Sequence, residues 1–183
     1  MLERHIFLIG MPGSGKSSLG RKVAANLRLS YIDLDRRIAE VLCCSSTADV
    51  YDRYGEEAFQ RAETNMLIEL SREAPCMIST GYDTVLSDVN RELMRNMGVI
   101  ILIDRPLDQI LSDIKLDDRR PTLQEKGIGE VERLYEERIG VYRGSADMTM
   151  VNDGSYFSGV SSLERLLKMR FRLDTPAKGA ETR

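Results

Sequence analysis

Two kinds of apolar pattern alternate along the chain. Residues 5–9, 29–33, 76–80, 99–103 and 148–151 are short, largely apolar runs, the longest being Val99-Ile100-Ile101-Leu102-Ile103. Runs of that length predict strands, and a continuous one predicts burial within a parallel sheet. Between them, helical spacing marks residues 18–27, 36–42, 47–54, 56–71, from Ser87 or Asp88 to 97, from Pro106 to about 114, 130–143 and 161–171. Gly55 separates the third of these helices from the fourth. In the fourth, Phe59, Ala62, Met66, Leu67 and Leu70 form one stripe, which predicts a core face. Such alternation predicts an α/β fold, a three-layer parallel sheet with its ligand at the strands' carboxyl ends. Residues 115–129 break the pattern: they are strongly charged, lack an apolar period and are bounded by Gly127 and Gly129. They are expected to form a lid.

Composition narrows the class. At 183 residues a single domain is expected, over residues 1–172, with the apolar-poor residues 173–183 as a disordered tail. A net charge of -3 argues against general affinity for nucleic acid or anionic membranes. No apolar run approaches membrane-spanning length, and no signal-peptide pattern precedes the first strand. The three cysteines, Cys43, Cys44 and Cys76, have neither a disulfide framework nor a zinc spacing. They read as reduced thiols, so a cytoplasmic location is expected. The one histidine, His5, leaves no histidine triad or histidine metal site.

The candidate chemistry begins after the first strand. Gly10-Met11-Pro12-Gly13-Ser14-Gly15-Lys16-Ser17 has the G-x-x-x-x-G-K-[ST] spacing of a phosphate-binding loop between a strand and a helix. Glycines allow the tight turn and a close backbone approach, and successive N–H groups then face one concavity at a helix N-terminus. This pattern implies a nucleoside triphosphate, bound by Gly13, Ser14, Gly15, Lys16, Ser17 and Ser18. Lys16 is expected to reach the outer phosphates and Ser17 to ligate Mg²⁺. Asp33 and Asp35, two apart at the end of the second strand, lean to the same side if the segment is extended. Asp33 is assigned to the Mg²⁺ shell through water, and Asp35 to the acceptor hydroxyl as orienting group and proton acceptor. The alternative for Asp35 is a helix cap. In the lid, Arg120, with Arg119 in reserve, is the candidate to neutralise transition-state charge.

An ordered set of motifs then resembles the shikimate kinases. The set comprises Gly10 to Ser17, Asp33-Leu34-Asp35, Gly55-Glu56-Glu57-Ala58-Phe59, Ser79-Thr80-Gly81, Arg120-Pro121 and Arg138-Ile139-Gly140-Val141-Tyr142. The resemblance implies a P-loop fold like that of nucleoside monophosphate kinases, with five parallel strands, a lid that closes on ATP, and a helical acceptor-binding region at about residues 35–62. It also implies that the lid arginine is Arg120 and that Arg138 grips the acceptor's carboxylate. The activity implied is transfer of a phosphoryl group from ATP to the shikimate 3-hydroxyl. With Mg²⁺ as cofactor, a monomer without nucleic-acid or membrane partners is expected.

Three departures fall on the acceptor side and the lid entry. Gln60 stands where the resemblance implies an arginine, and Gly81-Tyr82-Asp83 where it implies three glycines. Asp113 stands in place of an arginine at the lid entry. Gln60 removes a charge-assisted clamp on a carboxylate, a contact worth roughly 1.5–3 kcal/mol, and Asp83 adds a negative charge. Gln60, Gly81, Tyr82, Asp83 and Arg138, with Asp35, are the candidate acceptor residues. Shikimate, a different small hydroxylated acceptor, or a nucleotide-binding regulator without catalysis all remain open at this point.

Overall fold

The computed structural model describes residues 2–116, 128–171 and 173. Arg119, Arg120 and most of the expected lid and tail lie outside the described residues. The five strands are β1 His5–Ile9, β2 Tyr31–Asp33, β3 Met77–Ser79, β4 Gly98–Asp104 and β5 Met148–Val151. They form one parallel sheet in the order β2-β3-β1-β4-β5. The described helices are α1 Lys16–Leu27, α2 Leu34–Val41, α3 Thr47–Tyr54, α4 Glu56–Leu70, α5 Asp88–Met97, α6 Leu107–Leu116, α7 Ile128–Ser145 and α8 Tyr156–Phe171. None of them is long and apolar enough to cross a membrane.

Strand periodicity sorts the core into two layers. Ile6 and Leu8 of β1 point to the face covered by α1 and α8, where they meet Leu19, Val23, Leu163 and Leu167. Phe7 and Ile9 point to the opposite face and join Leu34, Ile38, Phe59, Leu67 and Tyr142. β4 repeats the division, with Val99, Ile101 and Ile103 on one side and Ile100 and Leu102 on the other. Burial on both faces is why these strands read as unbroken apolar runs. His5 is buried at the start of β1, and its Nδ1 accepts the Cys76 N–H at 3.2 Å, a structural role. All three cysteines are free.

Several boundaries differ from the sequence pattern, each for a local reason. Lys115 and Leu116 continue α6, and Ile128 and Gly129 open α7, so both ends of the expected lid belong to helices. α8 starts at Tyr156, five residues before the expected 161. Its first turn is capped by Ser155, whose Oγ accepts the Ser158 N–H at 3.3 Å, while the exposed Tyr156 and Phe157 mask the apolar period. A 3-10 turn, Thr84–Leu86, leads into α5, whose cap is Ser87. Gly98 opens β4 directly opposite His5, and a Cβ there would collide with the His5 carbonyl oxygen. Gly98→Ala is therefore expected to lower stability by about 1–3 kcal/mol, read as a lower denaturant midpoint at unchanged slope.

Candidate active site

The phosphate loop is held by its neighbours through its carbonyl groups. Gly10 (φ 148°) lies so close to β4 that a Cβ would sit 2.6 Å from the Ile103 carbonyl oxygen. Gly15 (φ 94°) is the left-handed N-cap of α1 and supplies no side-chain cap, which suits a helix whose first amides receive an anion. The Asn152 side-chain amide donates to the Ser14 carbonyl at 2.9 Å, Ser79 Oγ to the Lys16 carbonyl at 3.1 Å and Tyr31 OH to the Ser17 carbonyl at 3.2 Å. Ser18 Oγ turns back to the Gly15 carbonyl at 3.0 Å, and Lys16 Nζ lies across the loop, 3.4 Å from the Met11 carbonyl. Three different elements thus fix the backbone of one anion cradle.

The structure places Asp33 and Asp35 differently from what the spacing suggested. α2 begins at Leu34, so the two carboxylates are not two apart on an extended strand. Asp33, not Asp35, is the N-cap: its Oδ1 accepts the Arg36 N–H at 3.4 Å. Asp35 is thereby spared the capping role. From the first turn of α2 its Oδ1 is buried, has no hydrogen-bond partner among the described residues, and lies beside Gly81. A Cβ at Gly81 would sit 2.5 Å from Asp35 Oδ1 and 2.9 Å from Glu63 Oε1, so any larger residue here would push those two carboxyl groups aside.

The acceptor side gathers charge in a buried space. Asp83 pairs with Arg138 from α7, both largely buried, and the guanidinium carbon lies 5.2 Å from the Tyr82 ring centroid. Tyr142 OH donates to the Tyr82 carbonyl at 2.5 Å. Gln60 does not join this cluster; it is exposed on α4, and its amide donates to Glu56 at 3.1 Å. Asp113 accepts from Arg105 at 2.7 Å, and Arg105 also donates to the Asn152 carbonyl at 3.1 Å.

Glu63, in register with the acidic position that the family resemblance implies on α4 but not among the candidate acceptor residues, is a further member of the cluster. It is 1% exposed and accepts the Thr84 hydroxyl. Its signal was present in the sequence: a carboxylate four residues after Phe59 falls on the apolar face of α4. Of the residues that hold the loop, Ser79 belongs to the Ser79-Thr80-Gly81 motif, whereas Tyr31 and Asn152 carry none.

Burial sets the titration of these acids. It pushes Asp35 up to about 6, with Asp33 and Asp83 adding to the rise and Lys16 opposing it. It also raises Asp83, against the pull of Arg138. Glu63 is pushed from 4.5 up to about 7, again mainly by burial, with Asp35 and Asp83 adding and Thr84 opposing. A carboxyl raised in the folded chain binds protons more tightly there than when unfolded. Its stabilising effect is complete below pH 4.5 and is lost as pH rises through 7. Glu63→Gln keeps the shape and removes the charge. It is expected to match the native protein near pH 4.5 and exceed its unfolding free energy at pH 8 by on the order of 3 kcal/mol, measured by denaturant titration at both pH values.

Comparison with known proteins identifies the family. The shikimate kinase family model matches residues 12–164. A shikimate kinase of Clostridium botulinum is 35% identical over 166 residues, covering 91% of this chain and 98% of the relative. One of Vibrio parahaemolyticus is 36% identical over 155 residues, covering 82% of this chain and 88% of the relative. Among solved structures, the shikimate kinase of Bacteroides thetaiotaomicron superposes with a TM-score of 0.81 at 28% identity, covering 91% of this chain and 97% of its own. That of Acinetobacter baumannii, solved in complex with shikimate, gives 0.79 at 25% identity, with 91% and 92% covered. The chain belongs to the shikimate kinase family of ATP-dependent kinases that phosphorylate an alcohol group.

Proposed function

We propose that this protein transfers the γ-phosphoryl group of ATP to a hydroxyl of a small polyhydroxylated acceptor, with the shikimate 3-hydroxyl as the first acceptor to test. The observation that carries this reading is the buried, unpartnered Asp35 Oδ1 beside Gly81, on the same sheet edge as the anion cradle. The amides of Gly13 to Ser18 bind the phosphates, and Lys16 neutralises charge that develops on the transferred group. Asp35 fixes the acceptor oxygen and accepts its proton. Arg120, with Arg119 in reserve, is assigned the closing cation from the lid, and Arg138, Tyr82 and Asp83 border the acceptor, whereas Gln60, turned to solvent on α4, is left out of it.

Mg²⁺ fits the donor chemistry. Among the described residues no cluster of three metal-ligating side chains forms, and Mg²⁺ typically takes one or two protein oxygens together with substrate phosphates and waters. Ser17 and, through water, Asp33 are the residues assigned to hold it. Bound Mg²⁺ would neutralise charge on the phosphates. The enzyme is assigned here to act as a monomer in the cytoplasm.

An ionised Asp35 is required to accept a proton, so its raised pKa puts the acid limb of kcat/KM near pH 6. Two outcomes are expected from acceptor-stimulated ADP release across a panel of hydroxy acids and polyols that includes shikimate. The native enzyme loses activity below about pH 6, and Asp35→Asn lowers kcat by about 10²–10⁴ while nucleotide still binds. Release of ADP indifferent to every acceptor would reject the kinase reading.

A further inference from the structure

We propose that Asp83 is a built-in counter-ion that occupies Arg138 and tunes the acceptor site toward an uncharged polyol over the matching hydroxy acid. The inference rests on the kinase reading above and goes beyond it by naming the class of acceptor.

Asp83 is held on Arg138 by the whole segment that carries it. Tyr142 OH anchors the Tyr82 carbonyl at 2.5 Å, and the Leu86 N–H closes onto the Asp83 carbonyl at 2.8 Å. The Asn90 side-chain amide donates to the Thr84 carbonyl at 3.1 Å, and Arg91 donates to the Val85 and Leu86 carbonyls at 2.7 and 2.8 Å. Thr84 itself is tied to Glu63. The ion pair is correspondingly enclosed, with side-chain exposures of 17% for Arg138 and 16% for Asp83. Tyr82 covers the guanidinium from one face.

Opposite this pair stand Asp35 and Glu63, and both feel Asp83 as a like charge. The cation that Asp35 feels is Lys16, at the phosphate end of the cleft. An acceptor carboxylate entering here meets three carboxyl groups, and the guanidinium that would receive it is already neutralised. To bind Arg138 it must share the fork with Asp83 or displace it. A neutral polyol avoids that competition, and its hydroxyls find acceptors in Asp35 and Asp83.

The test uses two acceptors with the same ring hydroxyls, shikimate and its uncharged methyl ester. Each is titrated by calorimetry into the native protein and into Asp83→Asn, with a non-hydrolysable ATP analogue and Mg²⁺ present. The native protein is expected to bind the ester at least as tightly as shikimate. Asp83→Asn is expected to tighten shikimate by about tenfold or more and to leave the ester within about threefold. Affinity for the nucleotide analogue reports that the variant is folded; Asp83→Gly, which also frees Arg138, carries the same expectation if Asp83→Asn is not. Adding Arg138→Gln to Asp83→Asn is expected to abolish the gain for shikimate. A native preference for shikimate of tenfold or more, an unchanged shikimate-to-ester ratio in Asp83→Asn, or no saturable binding of either acceptor would overturn the proposal. Because binding is read without turnover, a failure of the kinase reading shows separately, as no ADP release with either acceptor.

Discussion

The left-handed turn between β1 and α1 is the constraint on which the rest of the structure depends. A helix that starts at Lys16 leaves its first amides without intrahelical partners, and Gly15 offers no side chain to satisfy them. The carbonyls of Ser14, Lys16 and Ser17 are instead bound by Asn152, Ser79 and Tyr31. Those three residues come from the segment after β5, from β3 and from β2, so the sheet order β2-β3-β1-β4-β5 is what brings them to one loop. The fold supports the cradle by hydrogen bonds to its carbonyls, and its amides are left for the phosphates proposed to bind there.

On the far side of the cleft the physics reverses. Here the chain buries Asp35, Glu63 and Asp83 within reach of one another, and burial lifts all three acids. An isolated charge in such a place is costly, and removing one partner of a buried pair costs more than the pair contributes. Pairing Asp83 with Arg138 and leaving Glu63 to take up a proton near neutral pH are two solutions to that problem. Asp35 keeps a buried oxygen without a hydrogen-bond partner among the described residues, which suits the proton-accepting role proposed for it. Capping by Asp33 is what frees it.

Much of this could be read from residues alone, because the strongest signals are local. The glycine loop, the doubly buried strands and the α4 stripe each follow from spacing over fewer than about twenty residues. What escaped was set by contacts across the chain. Nothing near Asn152 in the sequence says that its amide will reach Ser14, 138 residues away. Asp83 was legible as an added charge, but not as the partner of Arg138, because the pairing depends on how α7 crosses the segment after β3. The assignment of Asp33 and Asp35 to one side of a strand failed for a local reason: α2 begins between them. Gln60 was legible as a missing charge, and its neighbour Glu56 one turn earlier accounts for where its amide goes.

The most direct measurement is the crystal structure of the protein with Mg²⁺, a non-hydrolysable ATP analogue and a bound acceptor. The account predicts the terminal phosphates on the amides of residues 13–18, with the Asp35 carboxylate hydrogen-bonded to the acceptor hydroxyl that faces them. Nucleotide phosphates seated away from that loop, or an Asp35 side chain turned from the acceptor, would contradict it.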